Sequence, residues 1–218
     1  MSKRLVLYYI IFASLLITSN CIAAKQLYIG KWFGQNISIT AGILCYPGTF
    51  LITDVIGENY GKKAANRAII LGLIAQVIAI CLITIANLIP GDNESLNISF
   101  NSVLGSNWIL TIGSLVACLI SQTWDVFIFH KIRNIVFYKD GNSKRKWIWN
   151  NVSTISSQLI DSIVFYIFLI IMLRTQGIIL PLNTIVVTIF VYWIIKIVIA
   201  LLDTPVFYLL TRRKDYGR

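Results

Sequence analysis

Charged residues are scarce in this sequence of 218 residues: 13% are charged, whereas 57% are hydrophobic. Soluble domains typically contain about 25% charged and about 45–50% apolar residues. The mean hydropathy of +0.76 points in the same direction. This composition excludes an ordinary soluble enzyme and indicates a protein that lies mostly within a membrane.

Residues that bind metals or form catalytic sets are also few. His130 is the one histidine in the sequence, so a multi-histidine metal site is excluded, and no Ser/His/Asp or Cys/His set is recognisable. The four cysteines lie inside apolar segments and form no C-x-x-C pair, so we expect them to pack as small apolar residues. We therefore predict no catalytic residues, no metal and no cofactor.

The apolar residues fall in long blocks, and about 20 such residues are enough to cross the hydrocarbon core of a membrane. The blocks cover residues 5–24, 37–56, 68–88, 108–129, 152–173 and 182–202. We therefore expect an all-α, polytopic membrane protein whose six transmembrane helices form one bundle. The short intervening segments leave no room for a second domain, so residues 1–218 are predicted to form a single domain.

Lysine and arginine are distributed unevenly between the predicted loops, and cytoplasmic loops of membrane proteins carry an excess of both. With the N-terminus inside, 15 of the 19 fall on the cytoplasmic side, three fall outside, and Lys196 lies within the sixth predicted helix. We therefore expect both termini in the cytoplasm and a multi-pass protein of the inner cell membrane. The net charge of +10 is then explained by contact with the lipid surface, and no nucleic-acid partner is expected.

Polar residues inside the predicted helices are the most informative feature of the sequence. An ionisable side chain at the centre of a transmembrane helix costs about 2.5–3.5 kcal/mol, so such residues face the bundle interior or a wet cavity. Two predicted helices carry polar residues every three or four positions, which places them on one face of each helix. These residues are Ser114, Cys118, Ser121, Gln122 and Asp125 in the fourth helix and Thr154, Ser157, Gln158, Asp161 and Ser162 in the fifth.

The two polar faces share the pattern S-Q-x-x-D, which occurs at Ser121–Asp125 and again at Ser157–Asp161. It places an amide and a carboxylate about one helical turn apart. A carboxylate accepts two parallel N–H bonds and a glutamine both donates and accepts, so two such pairs could hold a flat, polar heterocycle, with Trp124 as a stacking surface. Alternatively, these side chains only bond neighbouring helices, at about 0.6–2 kcal/mol each. The recurrence of the pair favours substrate binding.

Other ionisable residues lie within or beside the predicted helices. Asp161 is placed near the middle of the membrane, whereas Asp54 and Asp125 are placed nearer the cytoplasmic side. Burial favours the neutral form of a carboxyl group, so such a residue could carry a proton as well as bind substrate, and we treat proton coupling as a hypothesis. Lys196 could pair with a buried Asp or extend to the cytoplasmic interface, and the sequence leaves both possibilities open.

Three segments of the sequence resemble a known family. The stretch YPGTFLITDVIGENYG at 46–61, the pair Asp125-Val126, and WIWNNVST at 147–154 running into SQLID at 157–161 are similar to the vitamin uptake transporter family, also called queuosine precursor transporters. The resemblance covers roughly residues 10–205, nearly the whole chain.

The resemblance implies a substrate that composition and spacing alone do not name. It implies import of 7-deazaguanine precursors of the tRNA nucleoside queuosine, such as the 7-cyano and 7-aminomethyl bases or queuine. These bases present a guanine-like edge with two adjacent N–H donors, which matches the carboxylates on the polar faces. Asp54, Glu58 and Asn150 lie within the segments that carry the resemblance and are also predicted to bind substrate.

The complete set of predicted substrate-binding residues is Gln122, Asp125, Gln158, Asp161, Asp54, Glu58, Trp124, Asn150 and Lys196. Other functions remain as alternatives. The protein could be the substrate-binding subunit of an energy-coupling-factor vitamin importer, which would require an ATPase module as partner. A membrane-embedded enzyme that uses Asp125 and Asp161 as paired carboxylates is a weaker alternative, because each Asp comes with a Gln. The sequence also leaves open whether the chain forms a homo-oligomer.

Overall fold

The computed structural model describes residues 2–105, 108–140, 145–175 and 177–211. Of the described residues, 84% are helical, which confirms the predominantly helical fold. Within the described residues, the helices are α1 Lys3–Ile22, α2 Tyr46–Tyr60, α3 Lys62–Leu88, α4 Glu94–Leu104, α5 Trp108–Asp140, α6 Lys146–Thr175 and α7 Leu182–Leu210. Two strands, β1 Gln26–Trp32 and β2 Gln35–Thr40, and a short 3₁₀ turn, Ala41–Leu44, lie between α1 and α2. Part of the basic sequence used to predict the orientation, Lys144 and the stretch 212–218, lies outside the described residues.

In the part of the chain that the structure describes, five helices are long and apolar enough to cross a membrane: α1, α3, α6, α7 and the part of α5 from Ile112 to Val136. The protein is therefore a polytopic helical membrane protein, as the hydropathy predicts. Helix α2 has 15 residues, which rise about 22 Å at 1.5 Å per residue. This is shorter than the hydrocarbon core of about 30 Å, so α2 by itself does not meet the length of a spanning helix.

The predicted second helix is wrong over its first nine positions. Residues 37–40 lie in β2 and residues 41–44 form the 3₁₀ turn, so α2 begins only at Tyr46, with Pro47 in its first turn. The strand has a local cause: Ile37 and Ile39 are buried while Ser38 between them is exposed, and this alternation is the period of a strand. Hydropathy averaged over a long window does not detect it.

Strands β1 and β2 form an antiparallel hairpin closed by Phe33 and Gly34. Both residues have positive φ, 50° and 80°, as a two-residue type I′ turn requires. The buried face of β2 packs on Val191 of α7. In addition, the backbone N–H of Thr40 donates to the Tyr192 hydroxyl at 2.8 Å. The hairpin is therefore attached to α7 rather than standing free.

Two further differences from the prediction are an additional helix, α4, and the longer extent of α5 and α6. The predicted loop after the third apolar block contains α4, whose first turn is capped by the Asn93 side chain accepting from the Leu96 N–H at 3.2 Å. Helices α5 and α6 extend past the predicted blocks, to Asp140 and back to Lys146. Polar and basic residues continue both helices there, and a hydropathy criterion stops at the last apolar residue.

Helix α2 lies at the centre of the bundle, because it packs against α1, α3, α5 and α7. Phe50 and Val55 of α2 are fully buried. Val55 packs with Phe129 of α5 and Trp149 of α6. Helices α5 and α6 form the most extensive pairing of elements in the chain. The polar residues of α2, α5 and α6 are thereby brought to one interior region.

Candidate functional site

The two S-Q-x-x-D segments bond to each other across the α5–α6 interface. The Ser121 hydroxyl donates to Asp161 Oδ1 at 3.2 Å, and the Ser157 hydroxyl donates to Asp125 Oδ1 at 2.8 Å. Each serine thus serves the aspartate of the other segment. This exchange requires antiparallel helices, so the repeat generates an approximate local twofold arrangement.

The two glutamines of the repeat, both with no exposed surface, have different surroundings. Gln122 Nε2 donates to Thr49 Oγ1 at 2.9 Å, and the Thr53 hydroxyl donates to Gln122 Oε1 at 3.0 Å. Neither Nε2 nor Oε1 of Gln158 has a hydrogen-bond partner among the described residues. The twofold arrangement is therefore broken at this point, since α2 satisfies one amide and leaves the other unpaired.

Asp161 is held by donors from three helices. Besides Ser121, its Oδ1 accepts from the Tyr46 hydroxyl at 2.7 Å, and its Oδ2 lies 2.7 Å from Lys196 Nζ. Lys196 Nζ also donates to Ser162 Oγ at 3.3 Å. Both members of the ion pair are buried, with side chains 5% and 8% exposed. This decides the question that the sequence left open, because Lys196 pairs with an aspartate inside the bundle.

Asp54 and Asp125 form a second acidic pair, 1% and 0% exposed. The two carboxyl groups contact each other. Asp54 Oδ2 lies 3.3 Å from Thr154 Oγ1. Asp54 Oδ1 and Asp125 Oδ2 have no partner among the described residues. Unlike Asp161, neither carboxyl forms an ion pair with any described cation.

The remaining predicted site residues are distributed unevenly. The side chains described above form the polar cluster: Tyr46, Thr49, Thr53, Asp54, Ser121, Gln122, Asp125, Ser157, Gln158, Asp161 and Lys196. Glu58 lies outside this cluster and forms two ion pairs, with its Oε2 at 2.9 Å from Arg133 Nε and its Oε1 at 3.3 Å from Lys146 Nζ. Asn150 is 4% exposed, and its Oδ1 is unpaired within the described chain. Trp124 is 40% exposed and donates its indole N–H to Ser156 Oγ at 3.2 Å. The structure therefore places Asn150 on the helix that carries Gln158 but keeps Trp124 outside the cluster.

Three residues of α2 belong to the cluster but were not predicted from the sequence. Tyr46, Thr49 and Thr53 bond to Asp161 and Gln122 as described above. Their spacing of three and four residues gave a usable signal, because it places all three on one face of a helix. The signal was missed because the block was read for hydropathy. Trp149 was also missed; its Nε1 is buried and unpaired within the described chain.

The cluster is closed to solvent in this structure, because Gln122, Asp125 and Gln158 have no exposed surface. A cavity of about 250 Å³ lies elsewhere, between the end of α3 and α4, where Asn87 and Asn101 contribute to its lining. It shares no residue with the cluster. Binding at the cluster therefore requires the helices to separate.

A family described as "Putative vitamin uptake transporter" matches residues 40–210. The chain belongs to this vitamin uptake transporter family. The match includes every residue of the polar cluster, from Tyr46 to Lys196. The family and the spanning helices agree on a multi-pass protein of the cell membrane.

The chain is similar in sequence to the "Probable queuosine precursor transporter" of Bacillus subtilis (strain 168). It is 30% identical over 132 residues, which are 60% of this chain and 56% of the relative. The similarity thus spans little more than half of the relative's length. No solved structure matches the chain.

Proposed function

We propose that this vitamin uptake transporter imports 7-deazaguanine bases, the precursors of queuosine, through its interior polar cluster, and that it performs no chemistry on them. Membership of the family and the name of the B. subtilis relative support this substrate class. The 7-cyano base, the 7-aminomethyl base and queuine share the guanine-like edge on which the proposal rests.

The observation that carries the proposal is the unpaired amide of Gln158. Leaving a buried polar group without a partner costs about 1–3 kcal/mol, and here a donor and an acceptor of one side chain are both unpaired. A ligand that offers a carbonyl oxygen beside an N–H group satisfies both atoms at once. The edge of a 7-deazaguanine base has this order of groups.

Asp125 supplies the second contact in this proposal. Ser157, the neighbour of Gln158, donates to Asp125 Oδ1 and leaves Oδ2 without a described partner. A carboxylate with a free oxygen can accept the exocyclic amino N–H of the base, which lies next to the ring N–H that Gln158 accepts, and charge-assisted bonds of this kind are about twice as strong as neutral ones. Asn150, whose Oδ1 is also unpaired, lies two helical turns from Gln158 and offers a third acceptor.

The other predicted residues position this site rather than contact the base. Asp161 is already occupied by Tyr46, Ser121 and Lys196, and Gln122 is occupied by threonines of α2. Glu58 joins α2 to Arg133 and Lys146. These contacts connect the helices that must separate when a base enters.

We also propose that the chain crosses the membrane six times as one domain, with both termini in the cytoplasm. The first half of α1 lies beside the junction of α2 and α3, since the Tyr9 hydroxyl donates to the carbonyl oxygen of Ala64, in the first turn of α3, at 3.3 Å. The end of α1 lies beside the segment before α2, since the Ser19 hydroxyl donates to the Gly42 carbonyl oxygen at 3.1 Å. This antiparallel placement of α2 and the 3₁₀ turn beside α1, between Tyr9 and Ser19, supports the proposal of a sixth crossing.

The test is uptake of labelled 7-deazaguanine bases by cells that cannot make them. Expression of the wild-type chain should restore uptake, and Gln158→Leu should abolish it while the protein still reaches the membrane. Uptake by Gln158→Leu at the wild-type rate would contradict the site. Co-purification of an ATPase that uptake requires would support the energy-coupling-factor alternative, and conversion of the base by purified protein would support an enzyme.

A further inference from the structure

The buried carboxyl groups of the bundle differ in how their charge is balanced. Glu58 has Arg133 and Lys146 within ion-pair distance, and Asp161 has Lys196. Asp54 and Asp125 have no such partner among the described residues, although both are almost completely buried. Two adjacent carboxylates in a medium of low dielectric constant cannot both ionise without a cation, so the pair retains a proton.

The hydroxyl groups around the pair indicate which carboxyl holds the proton. A hydroxyl has one hydrogen to donate. Ser157 Oγ lies 2.8 Å from Asp125 Oδ1 and 3.0 Å from the Thr154 carbonyl oxygen, so the shorter bond goes to Asp125. Thr154 Oγ1 lies 2.8 Å from the Asn150 carbonyl oxygen and 3.3 Å from Asp54 Oδ2, so its hydrogen points away from Asp54.

As a carboxylate, Asp54 would thus face the oxygen of Thr154 and the oxygens of Asp125 with no hydrogen between them. As a carboxylic acid, it donates to one of these acceptors and removes the conflict. Asp125 keeps its bond from Ser157 and stays ionised. The two residues then have separate roles, because Asp125 can accept the N–H donors of a base while Asp54 carries a proton.

Other titratable groups near α2 do not supply the missing hydrogen. Lys196 faces Asp161, the Tyr9 hydroxyl of α1 bonds to Ala64, and Lys62 at the start of α3 lies over the ring of Phe127. Glu58 on α2 adds a further negative charge beside Asp54. His130 of α5 lies against Gly57 and has no described partner for Nε2, so it gives the pair no hydrogen bond.

We propose that Asp54 is the proton-binding residue of this transporter and that one proton moves inward with each base. The inference rests on the proposed function, since it names the coupling ion of the same site. The proton binds to the Asp54 carboxylate from the outer side and leaves it on the cytoplasmic side. With a neutral base such as the 7-cyano form, each cycle moves one positive charge inward.

The experiment uses the full chain in lipid vesicles and the labelled 7-cyano base. With the membrane potential clamped at zero and the outside one pH unit more acidic, wild-type vesicles should accumulate the base about tenfold, because one pH unit corresponds to about 1.4 kcal/mol. The ratio of uptake with the pH gradient to uptake without it should fall to one in Asp54→Asn, and Asp54→Glu should restore the wild-type ratio. Exchange of base at equal concentrations is measured in the same vesicles.

The outcomes separate the two proposals. Wild-type exchange without any response to the gradient overturns proton coupling and leaves the proposed function standing. If the wild-type protein does not exchange the base at all, the proposed function itself is overturned. A gradient ratio above one that persists in Asp54→Asn overturns the assignment to Asp54.

A second measurement needs no transport and covers the case in which Asp54→Asn is inactive. The infrared carbonyl band of a protonated carboxyl group is recorded on purified protein at neutral pH without substrate. The band should be present in the wild type, lost in Asp54→Asn and kept in Asp92→Asn, a control at an exposed loop position. Retention of the band in Asp54→Asn, or its loss only in Asp125→Asn, overturns the inference.

Discussion

Replacing the two glutamines of the repeat by leucine should lower stability at Gln122 but leave it unchanged or raise it at Gln158. Gln122 makes two hydrogen bonds to threonines of α2, whereas Gln158 makes none to the described chain. The two residues have the same side chain, the same complete burial and equivalent positions in the repeat. Each substitution is therefore the matched control for the other.

The magnitudes follow from the bonds that are lost. Gln122→Leu removes two interhelical bonds, each contributing about 0.6–1.5 kcal/mol, so the free energy of unfolding should fall by about 1–3 kcal/mol. Gln158→Leu removes an unpaired amide and fills the same volume with apolar atoms, so it should be neutral or raise the free energy of unfolding by about 1–3 kcal/mol. For a chain of this size, 1 kcal/mol corresponds to about 2–4 °C in the unfolding midpoint.

The assay is thermal unfolding of purified variants in detergent, without substrate, followed by uptake in cells. The midpoint of Gln158→Leu should lie at or above that of the wild type, and the midpoint of Gln122→Leu should lie below it. Uptake should nevertheless be lost in Gln158→Leu, because the unpaired amide that lowers the stability of the wild type is the group that binds the base. If Gln158→Leu is destabilised as much as Gln122→Leu, the amide is bonded in the native protein and the reasoning fails.

Three further variants test the surrounding contacts. Lys196→Leu should leave Asp161 buried without its cation and cost about 3–5 kcal/mol, and adding Asp161→Leu should recover folded protein, as measured by monodisperse yield in detergent; no recovery would mean that the ion pair is not the cause. Glu58→Gln should leave Arg133 and Lys146 without their carboxylate and lower the unfolding midpoint, and the loss should persist at high salt because buried ion pairs are little screened; an unchanged midpoint would mean that these contacts do not hold α2 to α5 and α6. Trp124→Leu should lower uptake far less than Gln158→Leu, and an equal loss would restore the stacking role that the sequence predicts.

The interior polar cluster shows how far sequence reasoning extends. Periodicity selected Gln122, Asp125, Gln158 and Asp161 correctly as interior residues, because a helix turns by a constant angle per residue and burial of charge is costly in a membrane. It could not distinguish the two glutamines. The difference arises from threonines on α2, more than sixty residues away along the chain.

The sequence by itself determined the membrane class, the approximate positions of the long helices and the family, because hydropathy, helical period and local motifs are properties of contiguous residues. It also contained the alternation of β2 and the polar face of α2, which a finer reading would have found. Only the tertiary structure decided that Lys196 meets Asp161, that Asp54 meets Asp125 and that one amide stays unpaired. These facts depend on which helices pack together, and packing joins residues that no local pattern connects.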